Sequence, residues 1–168
     1  MQLGFTIPLQ KHLNIKTLPY PEPLDARFCW DLHIISLHGR KSLLAVNCAN
    51  RYAFTLFDMR AAHWRDLDAR FLDGLRHSFC EAGISEFTIA RYLHLAGELT
   101  RTKTHGRREV AFLNRAWDDV VAWDCNVDST QQYQPFLDFS VNKMLSHCAT
   151  RAEYGTPAAW LQEDLQSL

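Results

Sequence analysis

Three stretches rich in branched and aromatic residues, Leu32 to Leu37, Ser42 to Val46 and Tyr52 to Phe57, follow one another with only His38-Gly39-Arg40 and Cys48-Ala49-Asn50-Arg51 between them. Connections this short and of turn composition let a strand pair only with its successor, so the three stretches predict an antiparallel meander. In the third strand Tyr52, Phe54 and Leu56 share one face and Ala53, Thr55 and Phe57 the other, so at least one face can bury aromatic rings beneath helices.

The helices to cover that face follow directly. After Asp66 as N-cap, Leu67, Phe71, Leu75 and Phe79 recur every fourth residue with Leu72 beside them, and Gly83 supplies a left-handed stop. Ser85 caps a second helix with Ile84 and Ile89 as a hydrophobic staple, and Gly97 ends it. Upstream, Gly4 to Ile7 reads as a short edge strand. Pro8 then opens a brief helix carrying Leu9 and Leu13, and the alternating prolines of Leu18 to Leu24 make an extended surface linker. Downstream, a polar loop from Asp124 to Gln134 leads to a helix from Pro135 to His147 offering Phe136, Phe139, Val141 and Leu145 to the core. A last helix is capped by Thr156-Pro157 and buries Trp160, Leu161 and Leu165. The expected fold is α+β: one domain over residues 1–168, an antiparallel sheet of four or five strands covered by about five helices around one core. A chain of 168 residues, 47% hydrophobic and 22% charged, is large enough to bury such a core.

Thr100 to Asn114 carries the chemistry. It alternates as a fourth strand through Thr104, turns at His105-Gly106 and becomes helical at Arg107. Arg101, Lys103, Arg107, Arg108 and Arg115 stand there against Glu109 alone, in a chain whose net charge is -1. Cations and free backbone N–H groups at a helix start beside a glycine suit a phosphate or carboxylate. On that helix Val110, Leu113, Trp117 and Val121 form the expected buried stripe, and at 100° per residue Asn114 falls about 40° from Val110, inside it. Arg40, Lys41 and Arg51 mark the hairpin turns; if the first two share an edge with the Lys103–Arg107 turn, a basic surface of nucleic-acid type emerges.

Other chemistries find less support. Eight histidines yield no His-Glu-x-x-His or comparable spacing, and Cys29 and His33 lie about 13 Å apart along a strand, so no metal and no cofactor is expected. No nucleophile elbow and no phosphate-binding glycine loop is present, which leaves no triad or nucleotide cradle to assign. The cysteines Cys29, Cys48, Cys80, Cys125 and Cys148 are odd in number and lack a Cys-x-x-Cys, as expected of reduced, largely core thiols in the cytosol. No basic leader with an apolar run, and no stretch of about 20 apolar residues, points to export or a membrane span. A soluble cytoplasmic protein is the expectation.

Trp30, then Gly39-Arg40-Lys41 before an apolar strand ending in Asn47, then Lys103-Thr104-x-x-Arg107 with Asn114 beyond it, and finally Asn142, Tyr154 and Pro157, together resemble an uncharacterised bacterial family, domain of unknown function 6933. The resemblance runs from about Leu9 to Leu165. The family's strongest motif is Lys-Thr-x-Asn-Arg-Ser, a small residue and a later Asn; Lys103, Thr104, Arg107, Ala111 and Asn114 match it, while Gly106 and Arg108 depart from it. The resemblance implies a small bacterial protein often found on plasmids or other mobile elements, and no established activity.

Three functional expectations result. The first is a non-enzymatic module binding an anionic ligand, nucleic acid or a partner protein, through Lys103, Thr104, His105, Arg107 and Asn114 with Arg40 and Lys41. The second is an enzyme acting on a phosphate-containing substrate such as RNA or a nucleotide, with His105 as acid or base and Lys103 and Arg107 stabilising charge. The third is an interaction protein whose motif only pins helix to sheet.

Overall fold

The computed structural model describes residues 1–147, 151 and 153–168; Cys148 lies outside them. Five strands, β1 (Gln2–Phe5), β2 (Cys29–Leu37), β3 (Arg40–Asn47), β4 (Ala53–Leu56) and β5 (Thr100–Lys103), form one sheet in the order β4-β3-β2-β1-β5. The meander β2-β3-β4 is antiparallel as expected. Leu37 pairs with Arg40 across His38 and Gly39, both at positive φ (46° and 72°), the two-residue geometry whose twist matches that of the strands.

The sheet as a whole is mixed, which corrects the antiparallel expectation. β1 runs parallel to both β2 and β5. Long connections cause this: a helix and the proline linker carry the chain from β1 to β2, and three helices carry it from β4 to β5, so each returns in the direction it left. For the same reason β1 is no edge strand. It lies between β2 and β5, paired through its whole length.

Seven α-helices are present among the described residues: α1 (Ile7–His12), α2 (Ala61–Arg65), α3 (Leu67–Glu81), α4 (Glu86–Ala96), α5 (Arg107–Ala122), α6 (Pro135–Asn142) and α7 (Pro157–Gln166). Helices α1 to α4 cover the face that carries Leu3, Phe5, Trp30, Leu32, Leu43, Ala45, Phe54 and Leu56, and the stripe Leu67, Phe71, Leu75 and Phe79 packs there with every member buried. Ser85 caps α4 by accepting from Thr88 N at 3.2 Å, and the staple residues Ile84 and Ile89 are both buried.

Helices α5 and α6 cover the other face, each turned from its expected orientation. On α5 the inward residues are Glu109, Phe112, Leu113, Ala116, Asp119 and Val120, while Trp117 and Val121 are 39% and 50% exposed and Asn114 is exposed. The sequence holds two overlapping apolar arcs sharing Leu113. The packed arc puts the small Ala116 against the sheet and leaves the bulky Trp117 at the border, against the His33 ring at 5.0 Å. Helix α6 ends at Asn142 rather than near His147, and Phe136, Phe139 and Leu145 are exposed. Its inward arc is Leu137, Asp138, Val141 and Asn142, because the two polar residues are spent on the outer edge of β4. Asp138 Oδ1 accepts from Thr55 N at 3.0 Å, and Asn142 accepts from Ala53 N at 2.8 Å while donating to Ala53 O at 2.6 Å. Side chains thus complete a ladder that another strand would otherwise complete.

Candidate functional site

Under α5 the sheet face divides in two. Over β3 and β4 it is apolar, with Leu44, Val46 and Ala53 meeting Phe112, Leu113, Leu137 and Val141. Over β1, the first half of β2 and β5 it is polar, because alternation places Gln2, Gly4, Cys29, Asp31, His33 and Thr102 on this side. The β5–α5 turn lays His105 on this polar half. His105 Nδ1 is 2.7 Å from Asp31 Oδ1 and 3.5 Å from Cys48 Sγ, its Nε2 is 3.3 Å from Gln2 Oε1, and its backbone N–H donates to Asp31 Oδ1 at 3.2 Å. Asp31 is 1% exposed and Cys48 4%.

Gly4 makes the juxtaposition sterically feasible. A Cβ there would stand 2.1 Å from Asp31 Oδ1 and 2.9 Å from His105 Nδ1. Buried Glu109, held by Arg108 at 2.6 Å, lies above the cluster in the first turn of α5. Burial pushes the Asp31 carboxyl above its ordinary range, opposed by the His105 ring. Burial alone would lower the His105 pKa, but its contacts with Asp31 and Cys29 outweigh this and raise it to about 9. The pair is therefore an imidazolium–carboxylate at neutral pH. Cys48, deep among these acids, is held as a neutral thiol by burial and by Asp31. His33, beside the Thr6 hydroxyl at 2.8 Å, is held neutral by burial.

The residues expected to act together are dispersed. His105 is in the buried cluster. Lys103 sits on the opposite side of the sheet, its Nζ 3.8 Å from the Tyr20 ring centroid. Thr104 lies in the turn, and Arg107 and Asn114 are exposed on α5. Arg40 is at the first hairpin, 4.0 Å from Asp58, and Lys41 follows it with Nζ 3.4 Å from His12 Nδ1. Asp31 carries one visible signal, an acid two residues before His33 on one face of an otherwise largely apolar strand, and Cys48 carries none. Their partner His105 is 74 and 57 residues away, so no spacing rule reaches it.

A second concentration of chemistry lies on the α1–α2 side. A groove of about 540 Å³ is lined by His12, Lys41, Arg65 and Arg101 with Trp64 and Met59, and no carboxylate lines it. Arg101 is paired with Asp68 at 2.9 Å. Lys41 and Arg65 have no acidic partner among the described residues. Burial, and then Lys41, lower the pKa of His12.

Residues 2–160 match the family model described as domain of unknown function 6933. The chain belongs to that family. No curated protein matches it. Several residues that the family motif brings to notice are structural in this member. The Trp30 indole, fully buried, donates to Tyr92 Oη at 2.9 Å. Asn47 Oδ1 accepts from Ala49 N and Asn50 N while Nδ2 donates to Arg27 O, which shapes the β3–β4 turn. Asn142 covers the β4 edge, and Pro157 opens α7. Lys41, Lys103, Arg107 and Asn114 remain at the surface. No helix is long and apolar enough to cross a membrane among the described residues.

Proposed function

We propose that this family member is a non-enzymatic module that binds a phosphate-bearing ligand of nucleic-acid type in the groove between α1 and α2, in keeping with the mobile-element setting the resemblance implies. The observation that carries this reading is the groove's lining: Lys41, Arg65, Arg101 and His12 around about 540 Å³ without a carboxylate. Lys41 and Arg65, exposed and without an acidic partner among the described residues, gain most from an entering anion, while Arg101 beside them is held by Asp68. Trp64 and Met59 offer apolar contact beside them, and Lys103, on the same face as Arg101, extends the positive strip along the edge strand.

An acid–base role for His105 in an enzyme is less well supported. Its side chain is 9% exposed, its Nδ1 is committed to Asp31, and a ring already protonated at neutral pH accepts no proton from a substrate.

Fluorescence anisotropy with labelled single-stranded RNA and DNA tests the proposal. Saturable binding should weaken steeply with salt, and Lys41→Ala/Arg65→Ala should cost about tenfold in affinity or more without moving the melting temperature, both residues being exposed. Phosphate contact should also raise the His12 pKa in an NMR titration. No saturable binding at low salt, or binding indifferent to the double substitution, overturns the reading; preference for polyglutamate over oligonucleotide would replace nucleic acid with an acidic protein partner.

A further inference from the structure

The polar cluster beneath α5 plays no part in the groove, yet it brings together three metal-ligand donors, the one such group among the described residues. His105 Nδ1, Asp31 Oδ1 and Cys48 Sγ meet with the ring nitrogen 2.7 and 3.5 Å from the other two, and all three ligand atoms lie within 4.8 Å of one another. We propose that Asp31, Cys48 and His105, with Cys29 as fourth donor, form a structural Zn²⁺ site.

Four independent features support it. Tetrahedral zinc with bonds of about 2.0–2.3 Å spaces its ligand atoms about 3.3–3.8 Å apart; the Nδ1–Sγ distance of 3.5 Å lies within that span, and the Nδ1–Oδ1 contact of 2.7 Å opens to it once the metal replaces the shared proton. Asp31 Oδ2 is buried without any hydrogen-bond partner, an anionic oxygen that a cation would satisfy. Gly4 keeps the space between carboxylate and ring free of a side chain. Gln2 Oε1 faces His105 Nε2 at 3.3 Å and is held in that orientation by its own Nε2 donating to Glu22 O at 3.1 Å. An acceptor on Nε2 keeps a proton on that nitrogen, so Nδ1 is the one that gives up its proton to a metal, the usual outer-shell arrangement of ligating histidines.

Cys29, whose thiol interacts with the His105 ring, joins the set by turning its Sγ from the Asp25 carbonyl, 3.6 Å away, toward the other three donors. The Cys48 N–H donates to Cys29 O at 3.0 Å, and Trp30 pairs with Asn47, so the two cysteines face each other across β2 and the end of β3, on the side of the sheet that carries Asp31. Two thiolates, an imidazole and a carboxylate select zinc over magnesium or calcium, which take oxygen ligands. Uptake exchanges the Nδ1 proton and two thiol protons, released to solvent, for the divalent ion.

Co²⁺ reports both the geometry and the thiolates. The full chain, stripped with a chelator under reducing conditions, should take up one equivalent of Co²⁺ with tetrahedral visible bands and a near-ultraviolet thiolate-to-cobalt absorption, and Zn²⁺ should displace it stoichiometrically. Cys48→Ser and His105→Gln should each weaken uptake by about a hundredfold. Cys29→Ser should weaken it and halve the thiolate absorption, whereas the exposed Cys80→Ser should bind as the parent does. The unmutated chain decides the matter even if a variant folds poorly: absence of one-equivalent uptake, or a weak octahedral spectrum, overturns the proposal. Uptake unchanged in a folded Cys48→Ser overturns it equally.

Discussion

Gly4 shows how a single missing side chain organises one half of the sheet. It sits on the central parallel strand with Asp31 on one side and Thr102 on the other, and the space its Cβ would fill is occupied by the Asp31 carboxylate and the His105 ring. Gly4→Ala must displace buried groups hemmed in by two ladders, so the denaturant midpoint should fall by an amount equivalent to about 1–3 kcal/mol, with the slope unchanged. His33, two residues beyond Asp31 on the same face, is neutral because burial lowers its pKa. A histidine whose folded pKa lies below its unfolded value of about 6.5 contributes stability above 6.5 that is lost as pH falls through the folded pKa. His33→Gln should therefore be less sensitive to acid between pH 7 and 5 than the parent chain, as read from melting temperatures across that range.

At the level of elements, the short helix α6 does what a sixth strand would do. Its Asp138 and Asn142 side chains and the Gln132 carbonyl satisfy the N–H groups of Thr55, Ala53 and Phe57 along the free edge of β4. Asn142→Ala would strand buried groups of Ala53, at a cost of about 1–3 kcal/mol, and would reopen an apolar edge, so light scattering on heating should rise earlier than in the parent. Asp138 behaves differently. Burial holds its pKa well above the ordinary carboxyl value, so the folded state binds a proton that the unfolded state releases. Its contribution is full below about pH 4 and declines as pH rises toward the folded pKa. Asp138→Asn keeps an acceptor for Thr55 N and removes that decline, so the variant should match or exceed the parent in stability at pH 7 and lose its advantage at pH 4, as measured by chemical denaturation at the two pH values.

Across the whole molecule, the sheet separates two chemistries. The basic groove belongs to the face covered by α1 to α4, and the Asp31–Cys48–His105 cluster to the face covered by α5 and α6. With no shared side chain, the two should be energetically independent: Lys41→Ala/Arg65→Ala should leave metal uptake unchanged, and Cys48→Ser should leave oligonucleotide binding within about twofold of the parent, by the same titrations. Local signals of short range settled much of this arrangement in advance. Hairpin-length turns fixed the β2-β3-β4 meander, four-residue spacing fixed α3, and Ser85, Gly97 and Thr156-Pro157 fixed helix ends, since each acts through neighbours within a turn or two of chain. Whatever depended on long connections was decided only in three dimensions. The parallel placement of β1 follows from where α1 to α4 return the chain. The rotation of α5 follows from which of two apolar arcs packs closer, and the meeting of Asp31, Cys48 and His105 follows from both. The turn that follows β5 then carried His105 to the side of the sheet opposite Lys103, although two residues that far apart in a continued strand would have shared a face.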